Sequence, residues 1–387
     1  MVGQTHKLRI LLNSNCIWAS SGYATQAEMI TARLRDAGYP IAIVNFFGME
    51  GGIFEINGIR QYPKMGDAWG SDAMIHHGND WKADVTFTLQ DIWTLDMRNM
   101  SFVKRWIPIL PIDHDPPQPN VMEKLGLPYR IVTYSKFGHE RLKQQGYYST
   151  YIPHAVDTKI LKPMNKQVEL RKKYGMPQDT FLFGMVAANK DNPPRKSFQE
   201  VLDAFSEFKK KYPKSAIYFH TFLDQQGGFP VKLYAKGLGL DKDIYHLPPY
   251  DQMFHCGRVQ MAELYNCMDC LLSPSTNEGF GVPIIEAQSC GVPAIVTNFT
   301  AMPELIIPKK TGWLVDVASK RFDGLQSYVG IPSVTSLYNR MIDAYKMDKE
   351  KIAVECRKQA LEYDIDLIFN TYWKPYLELL EREIYNN

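Results

Sequence analysis

The sequence predicts an α/β protein built from two doubly wound domains, and three observations carry that prediction. Short apolar runs of strand type alternate with segments of helical periodicity along the chain. At 387 residues the chain is too long for one ordinary core, so two domains of under about 200 residues each are expected. The stretch Asn277-Glu278-Gly279-Phe280-Gly281-Val282-Pro283-Ile284-Ile285-Glu286-Ala287 reads as the junction of a buried strand, Leu271–Ser275, and a helix opened by Pro283. Such junctions occur at the ligand-binding ends of parallel sheets.

Leu8–Leu12 reads as the first strand, Asn13–Gly22 as a polar turn, and Tyr23–Ala37 as a helix closed by Gly38. This is the opening βα unit of a doubly wound domain. Its turn carries Ser20-Ser21-Gly22 and lacks the G-x-G-x-x-G fingerprint, which argues against a dehydrogenase. One glycine with two serines at a helix start can still hold a phosphate, so Gly22 is a candidate contact. Further strands are expected at Ile41–Asn45, Val85–Leu89, Trp106–Leu110 and Ile131–Tyr134, and the glycine-rich segment 46–80 shows no clear period. Met97–Trp106 is basic and aromatic; a packed helix with solvated lysines is the simpler reading. Pro111-Ile112-Asp113-His114-Asp115-Pro116-Pro117 follows a strand, and a histidine between two aspartates can orient a ring nitrogen or move a proton.

The second domain opens with Phe181–Val186 and a polar loop, Ala187–Lys196. The helix after it places Phe198, Val201, Leu202, Phe205 and Phe208 on one face. Arg195 and Lys196 thus stand at a loop-to-helix junction, where two cations could hold a diphosphate by charge-assisted hydrogen bonds. Ala216–Phe222 and Ile244–Leu247 read as strands, and the connection Tyr250–Arg258 is unusually long. Past the central turn come a strand at Val292–Thr297, a helix start at Met302–Leu305 and a strand within Thr311–Val315. The last helix, Asp366–Ile384, carries an aromatic stripe and an internal Pro375 that should kink it.

Composition narrows the function classes. Net charge is +2, with 16 Lys and Arg against 15 Asp and Glu up to residue 160, and 28 against 27 after it. Neither part is basic enough to demand a nucleic acid or an acidic membrane. No apolar run of about 18 residues is present, and the first residues lack the apolar stretch of a signal peptide. Six cysteines in a chain of this length fit a reducing compartment. A cytoplasmic location is therefore expected, with peripheral membrane attachment left open. Cys267-Met268-Asp269-Cys270 lies in an apolar segment and reads as packing and not as a zinc or redox motif.

The central turn resembles the signature of glycosyltransferase family 4, in which two glutamates stand with seven residues between them and Gly-Phe-Gly follows the first. Glu278, Gly279-Phe280-Gly281 and Glu286 match it in full. Tyr265 and Asp269, the segment Ile152-Pro153-His154-Ala155-Val156-Asp157, and Thr311-Gly312-Trp313-Leu314-Val315 also look like that family, although His154-Ala155 replaces its usual Asn-Gly. The resemblance is strong over the second domain and weak over the first. It implies a GT-B fold: two facing Rossmann-like domains with a cleft between them, and a C-terminal helix crossing back. The domains implied are 1–165 on the acceptor side, 166–365 binding the nucleotide sugar, and the helix 366–387.

The resemblance also implies roles. Glu286 would bind the ribose of a nucleotide-diphosphate sugar. Glu278, with Gly279 and the backbone of Phe280, Gly281 and Val282, would bind the sugar. Arg195, Lys196 and the Gly22 loop would face the diphosphate, and His114 would stand beside the donor sugar as a catalytic residue with Glu278. The family's arginine after the first strand is Asn189 here, and its lysine-glycine pair is Lys196-Ser197, so the phosphate contacts depart from its pattern. Transfer is expected to retain anomeric configuration and to need neither metal nor cofactor beyond the donor; Asp113-His114-Asp115 has the spacing of a metal-binding pair, but its prolines argue against that role. Two other readings stay open: a phosphorylase or epimerase of the same fold, and a non-catalytic sugar-nucleotide-binding protein. The acceptor, a modified nucleic-acid base included, and the oligomeric state are not legible.

Overall fold

The structure is a computed structural model that describes residues 6–191 and 193–385. It divides into two compact units. The first comprises residues 1–112, 116–155 and 365–387, and the second comprises 113–115 and 156–364.

The first unit is built on an eight-stranded sheet. Its strands are β1 (Ile10–Asn15), β2 (Ile41–Phe47), β3 (Phe54–Ile56), β4 (Ile59–Pro63), β5 (Val85–Leu89), β6 (Trp106–Leu110), β7 (Val132–Thr133) and β8 (Thr150–Tyr151). Their order is β3-β4-β2-β1-β5-β6-β7-β8, and every pairing except β3 with β4 is parallel. The helices between them are α1 (Gly22–Asp36), α2 (Ser71–Trp81), α3 (Met97–Met100), α4 (Pro119–Met122) and α5 (Lys136–Gln144). Strands β5 and β6 have the bounds that their apolar runs predict. Strand β1 runs three residues further than expected. Asn13 and Ser14 are fully buried: the Asn13 carboxamide oxygen accepts from Gln90, and Ser14 Oγ donates to the Leu89 carbonyl at 3.4 Å. Hydrogen-bonded polar side chains here do what apolar ones do elsewhere in the strand. The basic segment 97–106 forms only one helical turn, α3, and leaves Phe102 exposed.

The second unit has a six-stranded, all-parallel sheet and a separate antiparallel ribbon. The sheet strands are β9 (Phe181–Val186), β10 (Ser215–His220), β11 (Ile244–Tyr245), β12 (Cys270–Ser273), β13 (Ala294–Thr297) and β14 (Gly312–Val315), in the order β11-β10-β9-β12-β13-β14. The ribbon is β15 (Val317–Phe322) with β16 (Tyr328–Pro332). The helices are α6 (Gln167–Lys173), α7 (Phe198–Lys211), α8 (Val231–Gly237), α9 (Pro249–Phe254), α10 (Arg258–Cys267), α11 (Val282–Ser289), α12 (Val334–Tyr345) and α13 (Lys349–Leu361). The five apolar positions that predict α7 are all fully buried, and Phe183 of β9 meets Phe205 and Phe208 edge-on. Burying each such side chain stabilises the unit by about 1.5–3 kcal/mol. The segment 224–239, without expected structure, holds α8, and the long connection before α10 holds α9.

The chain then returns to the first unit through α14 (Ile365–Ile368), a π-helical turn (Phe369–Trp373) and α15 (Lys374–Tyr385). The wide turn lies just ahead of Pro375, whose missing N–H would interrupt an α-helical ladder. Trp373 packs edge-on to Phe87 and Tyr372 to Tyr151, Arg130 pairs with Glu383 at 2.9 Å, and Leu377 and Leu380 are fully buried. No helix among the described residues is long and apolar enough to cross a membrane.

Candidate active site of the second unit

In the second sheet the winding direction reverses between β9 and β12. Ligands of open α/β sheets bind outside the carboxyl ends of the strands at such a reversal. The loop leaving β9 carries Arg195 and Lys196, and the loop leaving β12 carries Asn277 and Glu278. Topology therefore brings these two loops side by side.

Their side chains form one ionic network. Arg195 Nη1 donates to the Asn277 carbonyl at 2.8 Å and to Glu278 Oε2 at 3.0 Å, while Lys196 Nζ pairs with Glu278 Oε1. The Thr276 N–H donates to the Arg195 carbonyl at 2.8 Å, so backbone and side chain both tie the loops together. Burial alone would raise the Glu278 carboxyl, but the charges of Arg195 and Lys196 outweigh it and hold the group down at about 2. The Lys196 pKa is lowered as well: burial and the Arg195 charge outweigh the attraction of Glu278. The Glu278 N–H donates to Thr300 Oγ1 at 3.1 Å, fixing the turn. Gly281, at φ +113, then enters α11, whose N-terminus has no side-chain cap. The left-handed backbone favours glycine there, and a Cβ would also have to displace Ile284 Cδ1, 2.7 Å away.

The segment 113–115 joins this network. Asn277 Nδ2 donates to Asp113 Oδ2 at 3.1 Å, and the other oxygen of Asp113 lies 2.7 Å from His114 Nδ1. His114 Nε2 lies 2.9 Å from Asp323 Oδ2, and the imidazole is buried. Burial works against a charged ring, but the two carboxylates outweigh it and raise the His114 pKa. Asp113 is lowered: burial is overcome by His114 and by Arg195.

Residues 166–322 match the family model described as glycosyl transferases group 1. It is this part of the chain, within the second unit, that is similar to the family. The chain is similar to glycosyltransferase 335 of Sulfolobus islandicus rod-shaped virus 1, itself uncharacterized, with 24% identity over 255 residues, 63% of this chain and 71% of the relative. Sucrose-phosphate synthase from Thermosynechococcus elongatus superposes with a TM-score of 0.78 at 14% identity, covering 97% of this chain and 99% of that one. Anabaena HepE, solved with UDP and glucose, gives 0.71 at 15% identity, covering 95% and 99%. The fold is accordingly GT-B, with two Rossmann-like domains, and the chain is a glycosyltransferase.

Within this glycosyltransferase, Glu286 stands on α11, where Tyr265 donates a hydrogen bond to its Oε2 at 2.7 Å. Burial raises the Glu286 carboxyl, against that hydrogen bond and the Arg258 charge. The Phe280 ring is buried edge-on to Tyr363. Second-unit topology thus gathers His114, Arg195, Lys196 and Glu278 into one network, with Gly279–Val282 continuing from it and Glu286 a turn further along α11. Gly22 belongs to the first unit, where it opens α1 behind a Ser21 cap; Ser21 Oγ accepts from the Ala24 N–H at 3.1 Å. A Cβ at Gly22 would meet nothing within 4 Å and its φ is not left-handed, so the fold does not require glycine there.

The two departures from the family pattern have local explanations. Asn189 is a buried structural staple: its Nδ2 donates to the Phe222 and Phe229 carbonyls at 3.1 and 2.8 Å, and its Oδ1 accepts from the Phe229 N–H at 2.8 Å. Ser197 keeps a left-handed backbone, φ +55, and its buried hydroxyl has no partner among the described residues. The turn before α7 thus has the conformation a glycine would supply without strain. Cys267 and Cys270 are buried free thiols raised by burial, and the intervening Asp269 binds Arg171 at 2.8 Å. The sequence reading missed Asp323. It lies one residue beyond the family match, at the end of a ribbon whose strand β15 is largely exposed and shows no apolar period.

Proposed function

We propose that this enzyme moves a sugar from a nucleotide-diphosphate sugar to an acceptor hydroxyl with retention of anomeric configuration and without a metal ion. The observation that supports this reading most directly is the convergence of Arg195 and Lys196 on Glu278 at the reversal point of the second sheet, beside the uncapped N-terminus of α11. A diphosphate competes with Glu278 for the two cations. Glu278 then turns to the sugar hydroxyls, with the backbone of Gly279, Phe280, Gly281 and Val282. Glu286 accepts from the ribose hydroxyls, and Tyr265 orients it.

In the transfer step the bond between the anomeric carbon and the diphosphate oxygen breaks. The acceptor oxygen bonds to that carbon on the same face, and its proton passes to the leaving diphosphate. Negative charge grows on the diphosphate, where Arg195, Lys196 and the α11 N-terminus stabilise it most in the transition state. His114 stands on the sugar side of the network. The HepE structure with UDP and glucose supports a nucleotide-sugar donor by likeness of fold.

The test is nucleotide release and sugar transfer from a panel of nucleotide sugars, in the presence of EDTA, by wild type and Glu278→Ala. One donor should be consumed by wild type, with loss of at least about 100-fold in the variant. Glu286→Gln should weaken nucleotide binding about 10- to 100-fold, as removal of a charge-assisted hydrogen bond does. Unchanged nucleotide affinity in that variant would remove the ribose assignment, and binding of no donor by wild type would remove the whole reading.

A further inference from the structure

The β15–β16 ribbon lies outside the winding of the second sheet, yet its turn supplies a carboxylate to the site. Asp323 has one oxygen committed to its own turn: Oδ1 accepts from the Leu325 N–H at 2.9 Å. The turn is closed by the Asp323 N–H donating to the Ser327 carbonyl at 2.9 Å and the Gln326 N–H to the Asp323 carbonyl at 3.1 Å. The second oxygen, Oδ2, is thereby aimed at His114 Nε2, 2.9 Å away. The ribbon is itself held in place. The Gly330 N–H donates to the Thr276 carbonyl at 2.9 Å, and the Asp115 N–H to the Tyr328 carbonyl at 3.4 Å. A Cβ at Gly330 would stand 2.8 Å from the Phe299 ring, so the ribbon approaches Phe299 as closely as glycine allows.

His114 therefore has a carboxylate at each ring nitrogen, Asp113 on Nδ1 and Asp323 on Nε2. A carboxylate only accepts, and a neutral imidazole has one N–H. Both contacts are satisfied together only when both nitrogens donate. We propose that Asp323 is a positioning residue that fixes the orientation of the His114 imidazole, with both ring nitrogens as donors, for glycosyl transfer. The inference rests on His114 taking part in the reaction proposed above. The charged groups that act on the ring are Asp113 on its own segment and Asp323 on the ribbon; Arg195 and Glu278 act on Asp113, and Asn277 is its neutral partner. Of these, the ribbon carboxylate is the one that can be removed without touching the sheet or the loops at its reversal point.

The experiment has two independent readouts. The first is titration of the His114 ring by NMR in wild type, Asp323→Ala and Asp323→Asn, with His114→Ala to assign the signal. The wild-type midpoint should lie above that of an ordinary histidine. It should fall by about one pH unit or more in Asp323→Ala, with Asp323→Asn between them because an amide oxygen can still accept from Nε2. An unchanged midpoint in both variants overturns the inference, whether or not the protein transfers a sugar. The second readout is turnover. Asp323→Ala should lower kcat about 10-fold with nucleotide Kd changed by less than about 3-fold. The loss of activity at high pH should begin at lower pH, and adding Asp323→Ala to His114→Ala should cost nothing more. Losses that multiply in the double variant would show that Asp323 acts apart from His114 and would overturn the proposal. Asp323→Asn keeps the test decisive if the alanine variant fails to fold.

Discussion

In chain order each sheet opens with a strand, a loop and a helix, and the two loops solve the same problem differently. In the first unit the turn after β1 is short and uncharged: Asn15 donates to Ser21 Oγ at 2.7 Å, and Ser21 caps α1. In the second unit the loop after β9 is longer and carries two cations, Arg195 and Lys196, near its end. It needs Asn189 to staple it to the segment after β10, and Glu278 from the next loop to neutralise its charges. The difference teaches where charge recognition is kept. A self-capped turn offers little beyond its backbone, whereas a loop whose counter-ion is borrowed from a neighbour can exchange that counter-ion for an anionic ligand.

Three substitutions sharpen or break this contrast. The largest effect is expected from Asn189→Ala, which strands two carbonyls and one N–H in a buried place. It should destabilise the second unit by about 3 kcal/mol in chemical denaturation, and a loss below about 1 kcal/mol would mean that the staple is dispensable. Next is the acid limb of stability. The Glu278 carboxyl is depressed from 4.5 to about 2 in the folded protein, so its contribution is complete above about pH 4.5 and is lost as pH falls toward 2. Thermal melting of Glu278→Gln between pH 5 and 3 should therefore show a shallower decline than wild type, by about 1–2 kcal/mol across that window. Parallel declines would remove the network from the stability of the fold. Smallest is Ser21→Ala, which removes only a helix cap and should cost about 1 kcal/mol. A cost equal to that of Asn189→Ala would erase the distinction between the loops.

The parts of this molecule that were legible from sequence are those where burial repeats with a simple period. Strand β9, the buried face of α7 and the turn at 277–287 follow from apolar spacing and from glycine and proline placement. The end of β1 was not legible because Asn13 and Ser14 look like turn residues until their buried partners, Gln90 and Leu89, are known. The ribbon was not legible because β15 is mostly exposed and offers no apolar alternation. The same division holds at the site. Glu278, Arg195 and Lys196 stand out locally, at a strand-to-helix junction and a loop end. Asp323 acquires meaning only through His114, 209 residues away in the chain. Gly22 carries a signal in sequence that packing does not explain, since neither space nor φ demands glycine there.

The path of the chain has a consequence for synthesis. The first unit takes residues from the start of the chain and again from 365 onward, while the second is complete once residue 364 has been made. The Leu8 N–H donates to Glu381, and Tyr385 donates to Asp84, so the residues leading into β1 and β5 wait for α15. On the ribosome, the second unit, though most of it comes later in the chain, can close first. Until then the first unit must keep the surfaces around Phe87 and Tyr151 uncovered by Trp373 and Tyr372. A stalled or trimmed nascent chain would therefore expose the amino-terminal sheet and not a loose tail.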